Sequence, residues 1–157
     1  MRDGFSAAEL LVVVAILAIL ATVSMPIFAA TFKNARLSGA VRQLASDIRF
    51  ARSLAVSKGG FYGVHTDGNR YQIQSSSGVT TWTSPTVITN WQDLSTQFIG
   101  VTIQSVGNGD PIGGPIFNAM GASLDSSNIV RSVNITLADD SATKVIQVNP
   151  AGNVKMP

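Results

Sequence analysis

The sequence predicts an α+β protein in which one long N-terminal α-helix packs against a C-terminal antiparallel β-sheet or β-sandwich domain. Two observations predict this fold class. The first 58 residues show apolar patterns of the helical type, and they end at the stop signal Gly59-Gly60. The remaining residues form short runs rich in β-branched and aromatic side chains, separated by turn signals.

The first part of the predicted helix is a long apolar run. A stretch of 23 residues without formal charge separates Glu9 from Lys33. In a helix these residues extend about 34 Å, which exceeds the ~30 Å hydrocarbon core of a bilayer. Residues 10–23 lack the polar stripe of a helix buried in a soluble protein. The run therefore predicts a membrane-inserting helix, which Pro26 loosens by removing one backbone hydrogen bond.

A cleavable secretory signal peptide is the competing interpretation of this run. Such a peptide has a positively charged start and a small-residue cleavage site after its apolar core. Here Arg2 and Asp3 cancel in charge, and Ala29-Ala30 lies inside a pattern that continues as helix. These features favour an uncleaved segment, although the charges flanking the run do not settle its orientation.

Beyond Phe32 the helix pattern becomes amphipathic. Apolar residues recur at steps of four and three, so that they share one helix face: Leu37, Val41, Leu44, Ile48, Ala51 and Ala55. Residues 33–58 also carry six basic residues and a single acid, Asp47. One continuous helix is therefore expected from near Phe5 to Lys58.

The remainder reads as about seven or eight strands with no second helix. The runs "FYGVHT" and "RYQIQS" flank the turn "DGN" and predict one hairpin. The runs "IVRSVNITLA" and "KVIQVNP" flank "DDSAT" and predict another. Shorter strands are expected in "TVITNW", "FIGVTIQSV", "PIFNAMG" and "AGNVKMP". A small sandwich or a strongly curved sheet on the helix stripe is the simplest architecture.

Composition argues against several kinds of site. The chain has no cysteine, so it forms neither disulfides nor thiolate metal sites, and its net charge of +2 does not by itself predict a nucleic-acid partner. His65, the only histidine, shares a strand face with Asp67, but no further ligand completes a metal or acid–base site. No phosphate loop, nucleophile elbow or carboxylate dyad appears, so we expect neither catalysis nor a cofactor. Calcium in the loop around Asp110 stays an alternative, because that loop offers one carboxylate and many carbonyls.

Two stretches resemble type IV pilin-like proteins, and more narrowly the GspH/FimT family of minor pseudopilins and minor pilins. Gly4-Phe5-Ser6-Ala7-Ala8-Glu9, followed by the apolar run, is similar to the prepilin signal. The stretch "VRQLASDIRFARSLAVSKG" is similar to the amphipathic helix of that family. Ala7-Ala8 is a weaker apolar pair than usual, which predicts slower processing but leaves the Gly4-Phe5 junction and Glu9 in place. The presence of Glu9 argues against a position at the very tip of a secretion pseudopilus.

The resemblance implies four parts, namely a leader (1–4), a transmembrane and assembly half of the helix (5–32), an amphipathic half (33–58) and a β-rich domain (59–157). It implies that a prepilin peptidase cuts after Gly4 and methylates the new amine of Phe5. Before assembly the chain would be a single-pass protein of the bacterial inner membrane, with its globular domain in the periplasm or outside. It would then leave the membrane and enter a type II secretion pseudopilus or type IV pilus. Other pilin or pseudopilin subunits, an inner-membrane assembly platform and the lipid bilayer are the implied partners.

Glu9 and Pro26 are the predicted assembly residues. A carboxylate near an apolar medium is costly unless it is paired. The resemblance implies pairing of Glu9 with the amine of Phe5, on the same or a neighbouring subunit, which would set the axial register of the filament. The alternative is a glutamate that only reaches the interface beside the first helical turn.

Nucleic acid is an alternative partner. Some FimT-type minor pilins bind DNA through a Gly-Arg-x-Arg-like C-terminal motif, and the matching stretch here is Gly152-Asn153-Val154-Lys155. Asn153 replaces the first arginine, so Lys155 would need help from Arg131 and Lys144, if their strands are neighbours. A second alternative is a single-pass, membrane-anchored binding module that never assembles.

Overall fold

Helix α1 spans Ala7–Lys58, 52 residues, close to the predicted extent. The computed structural model describes residues 6–76, 82, 85–107 and 113–157, without the side chains of residues 23–27, 29 and 30. Gly59 follows α1 with a φ of 68°, and its N–H bonds to the carbonyl of Ala55. The chain divides into two compact units, residues 1–35 and 36–157.

The described part of the first unit is the beginning of α1. Nine large apolar side chains between Leu10 and Leu20 are 50–70% exposed, and they surround the helix on all sides. The hydroxyl of Thr22 donates a hydrogen bond to the carbonyl oxygen of Ile19, with 2.7 Å between the two oxygens. Among the described residues no helix has the length and hydropathy needed to cross a membrane, and the span expected over residues 5–32 remains a prediction.

The second unit contains ten strands within the described residues. They are β1 (Phe61–Asp67), β2 (Arg70–Ser76), β3 (Pro85–Val87), β4 (Gln92–Asp93), β5 (Thr102–Gly107), β6 (Ile116–Phe117), β7 (Ser123–Leu124), β8 (Val133–Ala138), β9 (Thr143–Val148) and β10 (Val154–Lys155). Seven or eight were expected. The difference arises from β4 and β7, which have two residues each and are too short to show an alternating pattern.

These strands form two antiparallel sheets. The six-stranded sheet has the order β3-β2-β1-β6-β7, with β4 also paired to β2, and the four-stranded sheet has the order β10-β9-β8-β5. Both predicted hairpins are confirmed. Asp67 lies opposite Arg70 at the β1–β2 turn, and Ala138 lies opposite Thr143 at the β8–β9 turn. The predicted α+β class is therefore confirmed.

The predicted apolar stripe of α1 is the centre of the core of the second unit. All six stripe residues are at most 3% exposed, and they pack in one cluster with buried residues of both sheets, including Ile73 and Ile135. The spacing that predicts the stripe is therefore the spacing that anchors the sheets.

The expectation of no second helix is wrong. Helix α2 spans Leu94–Gln97 and follows β4 directly. Asp93 is its N-cap, because its Oδ1 accepts the N–H of Ser95 at 2.9 Å and that of Thr96 at 3.4 Å. One turn of helix carries no periodicity, so only the capping aspartate could have indicated it.

Replacing Asp93 with alanine should lower the urea midpoint of unfolding, because the first N–H groups of α2 lose their acceptor. Hydrogen bonds from Ser95 hold the pKa of the Asp93 carboxyl below its usual value, and the bond from the Ser95 hydroxyl has a larger effect than the bond from the backbone N–H. A lowered carboxyl pKa contributes stability above the unfolded-state pKa and loses it as the pH falls through the folded-state pKa. The difference in urea midpoint between the variant and the wild type should therefore become smaller as the pH is lowered. A pH-independent difference in urea midpoints would contradict this assignment.

Candidate functional site

Glu9 lies in the first turn of α1 and forms a reciprocal capping box with Ser6. The backbone N–H of Ser6 donates to Glu9 Oε2 at 3.2 Å, and the backbone N–H of Glu9 donates to Ser6 Oγ at 3.2 Å. The carboxylate also lies at the positive end of the helix dipole. Sequence reasoning missed this local role, although Ser-x-x-Glu is its signature.

The capping box does not conflict with a role for Glu9 in assembly. Gly4 and Phe5, the predicted cleavage junction, lie outside the described residues. An ionised carboxylate offers about four acceptor positions, and the N–H of Ser6 occupies one of them. A cap and an ion pair with the amine of Phe5 are therefore chemically compatible on one carboxylate.

Pro26 lies within α1, whose helical backbone continues on both sides of it. The proline therefore does not end the helix. Its side chain and those of its neighbours in residues 23–27 lie outside what the structure describes. The assembly role of Pro26 stays a prediction.

The three cations predicted for DNA binding have different surroundings. Arg131 Nε forms an ion pair with Asp125 Oδ2 at 2.7 Å. Lys144 Nζ donates to Ser38 Oγ on α1 at 2.7 Å. Lys155 lies on β10, opposite the exposed residue Gln147 of β9.

Strand pairing alone does not bring these cations to one surface. Strands β8, β9 and β10 are neighbours, as the DNA hypothesis requires. Side chains alternate along a strand, and Lys144 is three residues from Gln147, so Lys144 and Lys155 lie on opposite faces of the sheet. Asp125 already balances the charge of Arg131. The described structure therefore offers the three predicted cations no common phosphate site.

Two arginines of α1 instead donate hydrogen bonds to backbone carbonyls at and near the turn that joins β9 to β10, here called the C-terminal turn. Arg49 Nη2 donates to the carbonyl of Val154 at 3.2 Å. Arg52 donates from Nε to the carbonyl of Gly121 at 3.0 Å and from Nη2 to the carbonyl of Ala151 at 3.1 Å. These partners are about 70 to 105 residues away in sequence, so no local pattern predicts them.

Gly152, the glycine of the stretch that matches the DNA-binding motif, is required by the local packing. Its φ is +78°, and a Cβ built on it would lie 1.9 Å from the carbonyl oxygen of Gly121 and 2.7 Å from Arg52 Nε. No side chain fits in that space without moving the backbone. The structure therefore accounts for Gly152 without a nucleic acid.

Asp67 of the His65–Asp67 pair forms an ion pair with Arg70. The guanidinium of Arg70 hydrogen-bonds Asp67 and holds the pKa of that carboxyl below its usual range. Arg70 also lies 4.8 Å from the ring centre of Trp91, against which His65 packs at 5.5 Å. Within the described ranges no three His, Cys, Asp or Glu residues could hold a metal ion together, and Asp110 lies outside those ranges.

Comparisons with known proteins agree on the fold. Residues 40–152 match the family model described as type II transport protein GspH. The minor pseudopilin EpsH of the Vibrio cholerae type 2 secretion system is similar in structure, with a TM-score of 0.59 and 10% identity, over 78% of this chain and 96% of that one. The type IV minor pilin FimU of Pseudomonas aeruginosa gives a TM-score of 0.58 and 16% identity, over 79% and 90%. A search of curated proteins gives no match.

Proposed function

Because the chain belongs to the GspH family of type II transport proteins, we propose that it is a structural minor pilin or pseudopilin subunit that assembles through α1 into a filament. In this proposal residues 1–4 are a removable leader and residues 5–32 pack among the helices of neighbouring subunits. Residues 33–58 hold the β-rich domain of residues 59–157. The role is structural rather than catalytic.

The observation that carries the proposal is the exposed apolar surface at the start of α1. Nine large apolar side chains between Leu10 and Leu20 are at least half exposed. Contiguous apolar surface of this kind marks an interaction site. Burying one such side chain contributes roughly 1.5–3 kcal/mol, so nine of them strongly favour either lipid or like helices around this segment.

The proposed sequence of events uses both environments. The bilayer of the bacterial inner membrane surrounds the apolar segment first, with the β-rich domain on the periplasmic side. A prepilin peptidase then cuts after Gly4 and methylates Phe5, and an inner-membrane assembly platform moves the chain into the filament. There Glu9 pairs with the Phe5 amine of a neighbour, which offsets the cost of a carboxylate in apolar surroundings.

The first test is the mass of the N-terminus of the full chain, expressed in a bacterium that has a prepilin peptidase. We expect a chain that begins at N-methylated Phe5. A variant with Gly4→Glu should keep residues 1–4, because the bulky charged side chain disturbs the cleavage junction. An unprocessed wild-type chain that starts at Met1 would contradict assembly and favour a membrane-anchored module that never enters a filament.

A further inference from the structure

A cavity of about 260 Å³ lies in the second unit between α1, β2 and the segment that leads into β4. Gln43, Asp47 and Phe50 of α1 line one side, and Tyr71 and Gln92 line the other. Pockets for small molecules usually enclose about 300–1,000 Å³. The size of this cavity therefore suits a single side chain from another protein rather than a metabolite.

Asp47 provides the charge in this cavity. The buried Tyr71 hydroxyl donates to Asp47 Oδ2 at 2.5 Å. Burial, followed by the hydrogen bond and the charge of Asp47, raises the pKa of Tyr71 far above its usual value, so the phenol remains a donor. No lysine or arginine of the described residues forms an ion pair with Asp47. A half-buried carboxylate is thus held in place by a neutral group, while its charge lacks a cation.

The other walls suit a cation as well. Gln43 Nε2 donates to Gln97 Oε1 at 2.8 Å, and Gln97 Nε2 donates to Gln92 Oε1 at 3.1 Å. These two hydrogen bonds fix the orientation of the amide side chains that line the cavity. Phe50, which is 49% exposed, adds an aromatic ring to the wall. A carboxylate next to an aromatic ring favours a guanidinium or ammonium group.

We propose that this cavity receives the Arg42 side chain of a second copy of the chain, an inference that rests on the proposed filament assembly. Arg42 is exposed and makes no hydrogen bond or ion pair within the described residues. Asp47 is the only acid among the six basic residues of positions 33–58. Its cavity is therefore the place where parallel copies of this basic segment can pack with opposite charges in contact.

The axial spacing along α1 selects Arg42. It precedes Asp47 by five residues, so copies displaced by about 7.5 Å along parallel helices bring Arg42 of one copy level with Asp47 of the other. Pairing of Glu9 with the Phe5 amine of a neighbour requires a displacement of four residues, about 6 Å, in the same direction. The two displacements have the same direction and differ by about 1.5 Å, which is less than the length of an arginine side chain.

The test is thiol cross-linking of the full chain in membranes. Only the introduced cysteines can react, because the wild type has no cysteine. One copy carries Ser46→Cys, one helical turn beyond Arg42 on the same face, and the other carries Phe50→Cys at the cavity. This pair keeps both Arg42 and Asp47, the loss of the Phe50 ring is common to all variants compared, and the offset is the expected four residues. We expect a mixed cross-linked dimer.

Charge removal should lower the yield of that dimer about tenfold, since a lost ion pair of about 1.4 kcal/mol is a factor of ten. Arg42→Gln in the first copy and Asp47→Asn in the second should each do so. Asp47→Asn keeps an acceptor for Tyr71, so the fold is retained. The two changes together should lower the yield no further than either alone. Arg36→Gln, which removes another exposed arginine at a different level of α1, should leave the yield unchanged.

A second cysteine pair separates this inference from the proposed function. Ala7→Cys and Leu11→Cys have the same four-residue offset in the apolar segment. If this pair cross-links but the Ser46→Cys and Phe50→Cys pair does not, or is insensitive to Arg42→Gln and Asp47→Asn, the cavity inference is overturned and filament packing stands. If neither pair cross-links, the proposed assembly itself is contradicted.

Discussion

Replacing Glu9 with glutamine should exclude the chain from filaments while leaving the first turn of α1 intact. Glutamine at this position keeps the capping box, because its amide oxygen accepts the N–H of Ser6 as the carboxylate does. It loses the negative charge that the proposed pairing with the Phe5 amine requires. A hydrogen bond to a charged group contributes about 1.5–3 kcal/mol, so incorporation should fall by at least about tenfold.

The measurement is the fraction of the chain recovered in sheared filaments relative to the membrane fraction. Ser6→Ala is the matched control, because it removes the other half of the capping box and keeps the charge. We expect Ser6→Ala to assemble nearly as the wild type does, since a lost N-cap costs only about 1 kcal/mol. Wild-type incorporation of Glu9→Gln would show that Glu9 acts as a cap alone and would refute the registry role.

Replacing Gly152 with alanine should destabilise the β-rich unit by roughly 2–5 kcal/mol, as the sum of two effects. The positive φ of Gly152 disfavours any L side chain. The new Cβ would also lie 1.9 Å from the carbonyl oxygen of Gly121, so the C-terminal turn must move away from α1. That movement breaks or lengthens the hydrogen bonds from Arg52 to the carbonyls of Gly121 and Ala151.

Urea unfolding of the full chain in detergent micelles, followed by tryptophan fluorescence, measures this effect. Gly100→Ala is the matched control, because Gly100 has a φ of +87° and nothing within 4 Å of a built Cβ. It isolates the backbone cost, which we expect to be about 1–2 kcal/mol. Equal losses in the two variants would mean that the turn shifts freely and that its contact with Arg52 contributes nothing to stability.

The parts of this protein that could be read from the sequence are those encoded by short-range patterns. The stripe from Leu37 to Ala55 follows helical spacing, and each predicted hairpin is marked by its own turn. The capping box of Ser6 and Glu9 also has a local signature, Ser-x-x-Glu. Helix α2 and the two-residue strands β4 and β7 were missed because one helical turn or one pair of residues shows no period.

The candidate sites depended on contacts that no local pattern encodes. Whether Lys144 and Lys155 share a surface is decided by the register of β9 against β10, which places them on opposite faces. The carbonyls that Arg52 binds, and the tyrosine that holds Asp47, come from distant parts of the chain. The sequence by itself thus determined the helix, the hairpins and the family, because periodicity and turn chemistry act within a few residues. Only the tertiary structure decided which charges meet, because that choice is made by the packing of the two sheets on α1.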